Sequence, residues 1–153
     1  MKKKYLIKVW PLMKDAKFGK MSNTGKGKFI RMIATLSLVV KDYESYREAA
    51  SDKLMSGYKD FKDKLSAAQQ YEAYKMGWSS LKPEMTDDEH KEFMIVYEEY
   101  NKNLESALQP ENDKDVKVKY EKLNTDEFIN FCDSNDFTGE QALDLSVVMS
   151  SVD

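Results

Sequence analysis

Lys28-Phe29-Ile30-Arg31-Met32-Ile33-Ala34-Thr35-Leu36-Ser37-Leu38-Val39-Val40-Lys41-Asp42-Tyr43-Glu44-Ser45-Tyr46-Arg47-Glu48-Ala49-Ala50-Ser51-Asp52-Lys53-Leu54-Met55 is the stretch on which the reading of the fold turns. Phe29, Met32, Ile33, Leu36, Val39, Val40, Tyr43, Tyr46, Ala50 and Leu54 share one face of a helix, as steps of three and four residues require. Arg31, Thr35, Lys41, Asp42, Ser45 and Asp52 occupy the opposite, watery face. Gly25 and Gly27 are expected to delay the start, and Gly57 to supply the left-handed stop. At 1.5 Å per residue the helix spans roughly 42 Å. Its stripe needs other helices, from this chain or a second copy, to cover it. The apolar run Ile33 to Val40 is broken by Thr35 and Ser37 and is far short of the roughly 20 residues that cross a bilayer, so a membrane span is not expected.

Working outward, the remaining chain reads as follows. Tyr5 to Trp10 is rich in β-formers and ends at Pro11, so a short strand is predicted there. Leu12 to Lys28 reads as a loop. A second helix is predicted over Tyr58–Met76, with Tyr58, Phe61, Leu65, Ala68 and Tyr71 inward. A turn between Gly77 and Pro83 holds Trp78 and Leu81. Thr86-Asp87-Asp88-Glu89 is a capping box that opens a third helix, inward at Phe93, Val96, Tyr97, Tyr100, Leu104 and Ala107, and ended near Leu108 by Pro110. Val116 to Tyr120 alternates apolar and basic residues like a half-buried strand, and its plausible mate is Tyr5 to Trp10. Asn124-Thr125-Asp126-Glu127 and Thr138-Gly139-Glu140-Gln141 cap two short closing helices. The expected fold class is mainly α: an antiparallel helical hairpin or bundle, with a small two-stranded β element joining the N-terminal and C-terminal segments. One domain is expected over residues 1–153, made of a basic strand-and-loop arm (1–27), a helical body (28–108), and a strand with two short helices (109–153).

Hydrophobic residues make up 41% of the chain, enough for a packed core and against wholesale disorder. The single cysteine, Cys132, excludes an internal disulfide framework and a cysteine-based metal site. Met1-Lys2-Lys3-Lys4 imitates the start of a secretion signal, but Lys8 interrupts the apolar part, so a mature, soluble, intracellular protein is expected. Net charge is −3, unevenly spread. Residues 1–31 hold ten Lys/Arg and one acid, a net of +9, while the rest holds fourteen Lys/Arg and twenty-six acids, a net of −12. The preferred reading is mutual neutralisation within the fold or between subunits. The sharper one is an arm, centred on Lys14, Lys17, Lys20 and Lys26, that meets nucleic acid or an acidic partner.

No motif carries catalysis. Gly19 to Gly27 imitates a phosphate-binding P-loop, but five residues separate Gly19 from Gly25, and Gly27 stands where a Ser or Thr should hold magnesium. Asp133 to Gly139 is a poor calcium loop with Phe137 at a ligand position, and reads as a turn between helices. His90 reads as a solvated helix residue and Cys132 as a small core residue. Tyr71, Tyr74 and Trp78 lie at helical spacing; core packing or a protein interface is preferred over base stacking because Lys75 is the only base nearby. Nine Met and nine Tyr suit an adaptable contact surface. No cofactor, metal or catalytic residue is expected.

Tyr43-Glu44-Ser45-Tyr46-Arg47-Glu48-Ala49, Phe93 to Leu108 and Val116 to Met149, together with the order of the elements from Lys28 onward, are similar to a group of small helical proteins encoded by tailed bacteriophages. The basic segment before Lys28 departs from that layout. The resemblance implies a viral, non-enzymatic protein located in the host cytoplasm or the virion. The expected function is a protein-interaction module in particle assembly or a virion component, with another protein or a second copy as partner. The alternatives are an inhibitor of a host nuclease or defence complex, and a non-specific nucleic-acid-binding accessory protein.

Overall fold

The structure, a computed structural model, describes residues 1–151. The chain is mainly α. Its described residues form α1 (Lys3–Lys14), α2 (Asn23–Met55), α3 (Phe61–Lys75), α4 (Asp87–Asn112), α5 (Thr125–Asp133) and α6 (Gly139–Met149). The chain divides into two compact units, Met1–Ser45 with Pro110–Asp153, and Tyr46–Gln109. We call them unit 1 and unit 2. The helices α2 and α4 each contribute residues to both.

Three expectations fail at the N-terminal end. Tyr5 to Trp10 is helix, not strand. A strand would place Lys8 on the same face as Leu6 and Trp10, whereas a helix gathers Leu6, Val9 and Met13, all buried, on one face. Burial of that face overrides the β preference of the individual residues. Pro11 is tolerated inside α1 although it cannot donate to the carbonyl one turn back. Secondly, most of the loop expected over Leu12–Lys28 is helical, leaving only residues 15–22 between α1 and α2. Ser22 accepts a hydrogen bond from the Gly25 N–H at 3.1 Å, so Ser22 caps α2 and draws Gly25 and Gly27 into its first turns. Thirdly, the two-stranded β element is not seen. Lys2 and Asp115 form one isolated antiparallel bridge. The Lys3 N–H donates to the Lys114 carbonyl at 2.9 Å and the Val116 N–H to the Met1 carbonyl at 2.8 Å.

Residues 120–123 hydrogen-bond to the end of α6. Tyr120 Oη donates to the Val148 carbonyl at 2.7 Å, Lys122 Nζ to that of Val147 at 3.2 Å, and the Leu123 N–H to that of Met149 at 2.8 Å. The last carbonyls of a helix lack partners inside it, and this segment supplies them. The core of unit 1 centres on Phe131, with no exposed surface and ring contacts to Phe29 at 5.2 Å and Phe137 at 5.6 Å. Leu6, Met13, Met32, Leu36, Leu145 and Met149 close around it. Both expected C-terminal capping boxes form, at Asn124–Glu127 and Thr138–Gln141.

Unit 2 is built round Phe61, whose ring lies 4.7 Å from Tyr100, 5.5 Å from Phe93 and 5.6 Å from Tyr58. The expected inward residues Phe61, Ala68, Phe93, Tyr100 and Leu104 are buried. The Thr86 box forms: the Glu89 N–H donates to Thr86 Oγ1 at 3.2 Å and the Thr86 N–H to Glu89 Oε1 at 3.3 Å. The expected end of this helix near Leu108 is wrong: α4 runs through Pro110 to Asn112. Leu104, Leu108 and Glu111 continue one buried face across the proline, at steps of four and three.

Candidate interaction surfaces

The basic N-terminal residues are largely spoken for, and every partner lies in residues 111–144. In unit 1, Lys2 pairs with Asp115 at 3.2 Å, Lys3 with Glu111 at 2.6 Å, Lys4 with Asp113 at 3.3 Å and Lys8 with Asp144 at 2.8 Å. Lys28 reaches Glu127 at 2.7 Å and Glu121 at 3.6 Å, and Arg31 reaches Glu121 at 3.8 Å. Residues 110–153 hold four Lys/Arg against eleven Asp/Glu, a net of −7 that answers the +9 of residues 1–31. Charge asymmetry along the sequence is thus charge pairing within unit 1.

Two of these acids are buried. Glu127 sits where burial pushes its carboxyl up, but the Lys28 ammonium and the Asn124 N–H outweigh that and hold it below the usual glutamate value. Hydrogen bonds from Lys114 and Lys3 lower the carboxyl of Glu111, against an opposing effect of burial. The Lys28 ammonium is correspondingly raised by its hydrogen bond to Glu127, against burial.

Lys14, Lys17, Lys20 and Lys26 behave differently. None has an ion-pair partner among the described residues, and the first three are exposed. The loop that carries Lys17 and Lys20 is fixed through its backbone. The Lys17 N–H donates to Asn135 Oδ1 at 2.8 Å, Asn135 Nδ2 donates to the Lys17 carbonyl at 2.7 Å, and the Lys20 N–H donates to Ser134 Oγ at 3.0 Å. The Asp133–Gly139 turn therefore serves as an anchor for this loop. Phe18 stands between the two lysines, 36% exposed, with its ring 5.4 Å from that of Phe29.

In unit 2, Tyr71, Tyr74 and Trp78 do not act as one stripe. Tyr71 is half-buried: its ring stacks on His90 at 4.2 Å and its hydroxyl donates to Asp87. The hydroxyl hydrogen bond, with Lys75 next, holds the Asp87 carboxyl below its usual range and raises the phenol of Tyr71. His90, expected to be a solvated helix residue, is instead packed on Tyr71 with Nε2 3.1 Å from Glu72 Oε1. No sequence spacing announces that contact, because it joins two helices. Tyr74 is partly exposed. Trp78 lies beyond α3 and is 77% exposed, with Met76 at 63% and Leu81 at 79%.

The backbone under this patch is well fixed. Gly77 has φ +75°, its N–H donates to the Tyr74 carbonyl at 3.1 Å, and the Trp78 N–H donates to the Ala73 carbonyl at 2.9 Å. This is a Schellman stop, in which the residue after the glycine usually folds back on the helix. Here that residue is Trp78, and it projects into water. Met76 and Leu81, close to it in the sequence, are exposed as well.

Among the described residues no group of three or more His, Cys, Asp or Glu is placed to hold a metal, and no helix is long and apolar enough to cross a membrane. The Cys132 thiol is half-buried and raised by burial and by Asp133, which leaves it a poor nucleophile. A cavity of about 280 Å³ in unit 2 has Tyr58, Phe61, Met85 and Phe93 in its wall, with Lys59, Lys64, Glu89 and Glu92 beside them, and contains no nucleophile–base pair. No family model, curated protein or solved structure matches the chain.

Proposed function

We propose that the protein is a non-catalytic protein-interaction module that docks a partner on the Met76–Trp78–Leu81 patch of unit 2. The observation that carries this is the 77% exposure of Trp78 on a backbone held by the Schellman stop. Tryptophan, with tyrosine and arginine, is enriched among the residues that dominate binding at interface centres, and an anchor that is already ordered loses little entropy on docking. The likeness of layout to tailed-phage proteins supports a viral setting, in host cytoplasm or virion, and makes a particle-assembly component the first partner class. The alternative is a host nuclease or defence complex. Unit 2, with nine Lys/Arg against thirteen Asp/Glu, carries the negative charge that suits a basic groove.

The test is affinity capture from phage-infected cells by the natural chain and by Trp78→Ala. A partner held by the first and lost by the second is the expected result. Particle proteins in that set support assembly; a nuclease or defence complex supports the alternative. Identical captures would sink the assignment of the docking patch.

A further inference from the structure

We propose that Lys14, Lys17, Lys20 and Lys26, with Phe18 among them, form a binding surface for single-stranded nucleic acid on unit 1. This goes beyond the protein-interaction reading and stands independently of it, since it uses the other unit.

Six of the ten N-terminal cations are matched by acids from residues 111–144, so their charge is already neutralised. The four that remain are consecutive among the cations of the chain, from the end of α1 to the first turns of α2. Asp15 is the only acid in that span. An ammonium without a protein partner keeps its full attraction for phosphate, because no ion pair has to be broken first.

The loop is also pre-ordered. Its anchors are backbone groups of Lys17 and Lys20 held by Asn135 and Ser134, which leaves both side chains free to point at a ligand without melting the loop. Phe18 decides between classes of polyanion. Its ring is supported by Phe29 and still 36% exposed. A partly open aromatic ring between lysines offers a stacking partner to an unpaired base. Bases in a duplex are already stacked, and acidic peptides and lipid headgroups have no flat ring system to meet it. Lysines on phosphates carry no sequence information, so binding is indifferent to sequence.

The experiment is fluorescence anisotropy with a labelled oligo-dT of about twelve nucleotides, within the span a single binding surface covers. Four neutralised phosphates on a single strand give a log–log salt slope of about −3, or roughly 50-fold weaker binding between about 50 and about 200 mM salt. Simultaneous Lys→Glu change at Lys14, Lys17, Lys20 and Lys26 should abolish binding, while Lys8→Gln, whose cation is already paired with Asp144, should not alter it. Phe18→Leu keeps the apolar contact with Phe29 and should weaken dT binding by about fivefold, the low end for one stacked base, without changing binding to an abasic strand. If the fourfold variant fails to fold by circular dichroism, Lys17→Glu and Lys20→Glu carry the test, because their backbone anchors do not involve the side chains. Binding unchanged by these reversals overturns the proposal. So do a duplex bound as tightly as the single strand, and capture of polyglutamate or anionic vesicles with no binding of oligo-dT.

Discussion

Phe61 in unit 2 is ringed by aromatic side chains drawn from within forty residues on either side of it, and few charges support it. Unit 1 is assembled from the two ends of the chain. Its centre is Phe131 with Phe29 and Phe137 against it, among Met, Leu and Val, and its periphery is a belt of ion pairs joining residues about a hundred positions apart, such as Lys3 with Glu111 and Lys28 with Glu127. A locally built core needs only helix propensity, capping and the right apolar spacing. A core closed by the chain ends must also specify which distant segments meet, and charge is one means of doing so. The lysine-rich beginning and the acid-rich end of this sequence specify that meeting.

The sharpest way to break the comparison is at the centre of each unit. Leu36 has no exposed surface, and Leu36→Asp places an unpaired carboxylate in the unit 1 core at a cost of several kcal/mol, comparable to the whole stability of a small domain. Loss of the cooperative melt followed by circular dichroism is the expected result; an unchanged melt would show that the α2 stripe is not core. Phe61→Ala in unit 2 removes the ring at the centre of the aromatic cluster and should cost about 3–5 kcal/mol. Chemical denaturation measures it, with a lower midpoint at unchanged slope as the outcome.

Acid should sharpen the contrast. Glu111 and Glu127 are held below the usual carboxylate value in the folded protein. Their contribution is complete above about pH 4.3, the unfolded glutamate value, and is lost as pH falls through their lower folded values. Lys28 is raised, so its contribution is complete below about pH 10.4 and is lost as pH rises through its folded value. Amide protection factors in unit 1, corrected for intrinsic exchange at each pH, should therefore fall in acid before those of the aromatic core of unit 2, whose depressed carboxyl, Asp87, is exposed. Replacing both acids, Glu111→Gln with Glu127→Gln, should lower stability at neutral pH and flatten the acid limb. An acid limb as steep as that of the natural chain would show that other carboxyls carry it.

Legibility in the sequence followed the same division. The helices of unit 2, their inward faces and the Thr86 cap were readable because each rests on residues a few positions apart. The α2 stripe is readable for the same reason as far as Tyr43; beyond it Ala50 and Leu54 are half-buried and Tyr46 is exposed. Tyr5–Trp10 looks like a strand only while its β-formers are taken singly; Lys8, which a strand would turn toward the core, is the signal against one. Ser22 is a cap whose signal in the sequence is masked by Gly25 and Gly27 just after it. Of the two interaction surfaces, the lysines were nameable from sequence. Which of the ten were already paired was not, since that depends on partners over eighty residues away. Trp78 is nameable from its helical spacing with Tyr71 and Tyr74 as core or protein interface; that it stands apart from them is not, because that spacing continues past Lys75, where the helix stops.

The smallest effects test the glycines, one in each unit, and should have opposite signs. Gly27 lies in the helix α2, and the nearest group a Cβ there would meet is the guanidinium of Arg31, at 3.3 Å. That group is the end of a flexible side chain, 68% exposed, and can move aside. Gly27→Ala should therefore stabilise unit 1 by up to about 1 kcal/mol through helix propensity. Gly77 in unit 2 has open space around it but a φ of +75°. There the obstacle is the backbone itself, since alanine in the left-handed region costs roughly 1–2 kcal/mol. Gly77→Ala should lower the melting temperature or shift the stop so that Trp78 changes direction. Trp78 fluorescence in a Trp10→Phe background distinguishes the two, a blue shift marking a ring that has folded back on the helix. If Gly77→Ala left both the melt and the spectrum unchanged, the Schellman stop would not be what holds Trp78 in water, and the proposed docking anchor would lose its claim to being pre-ordered.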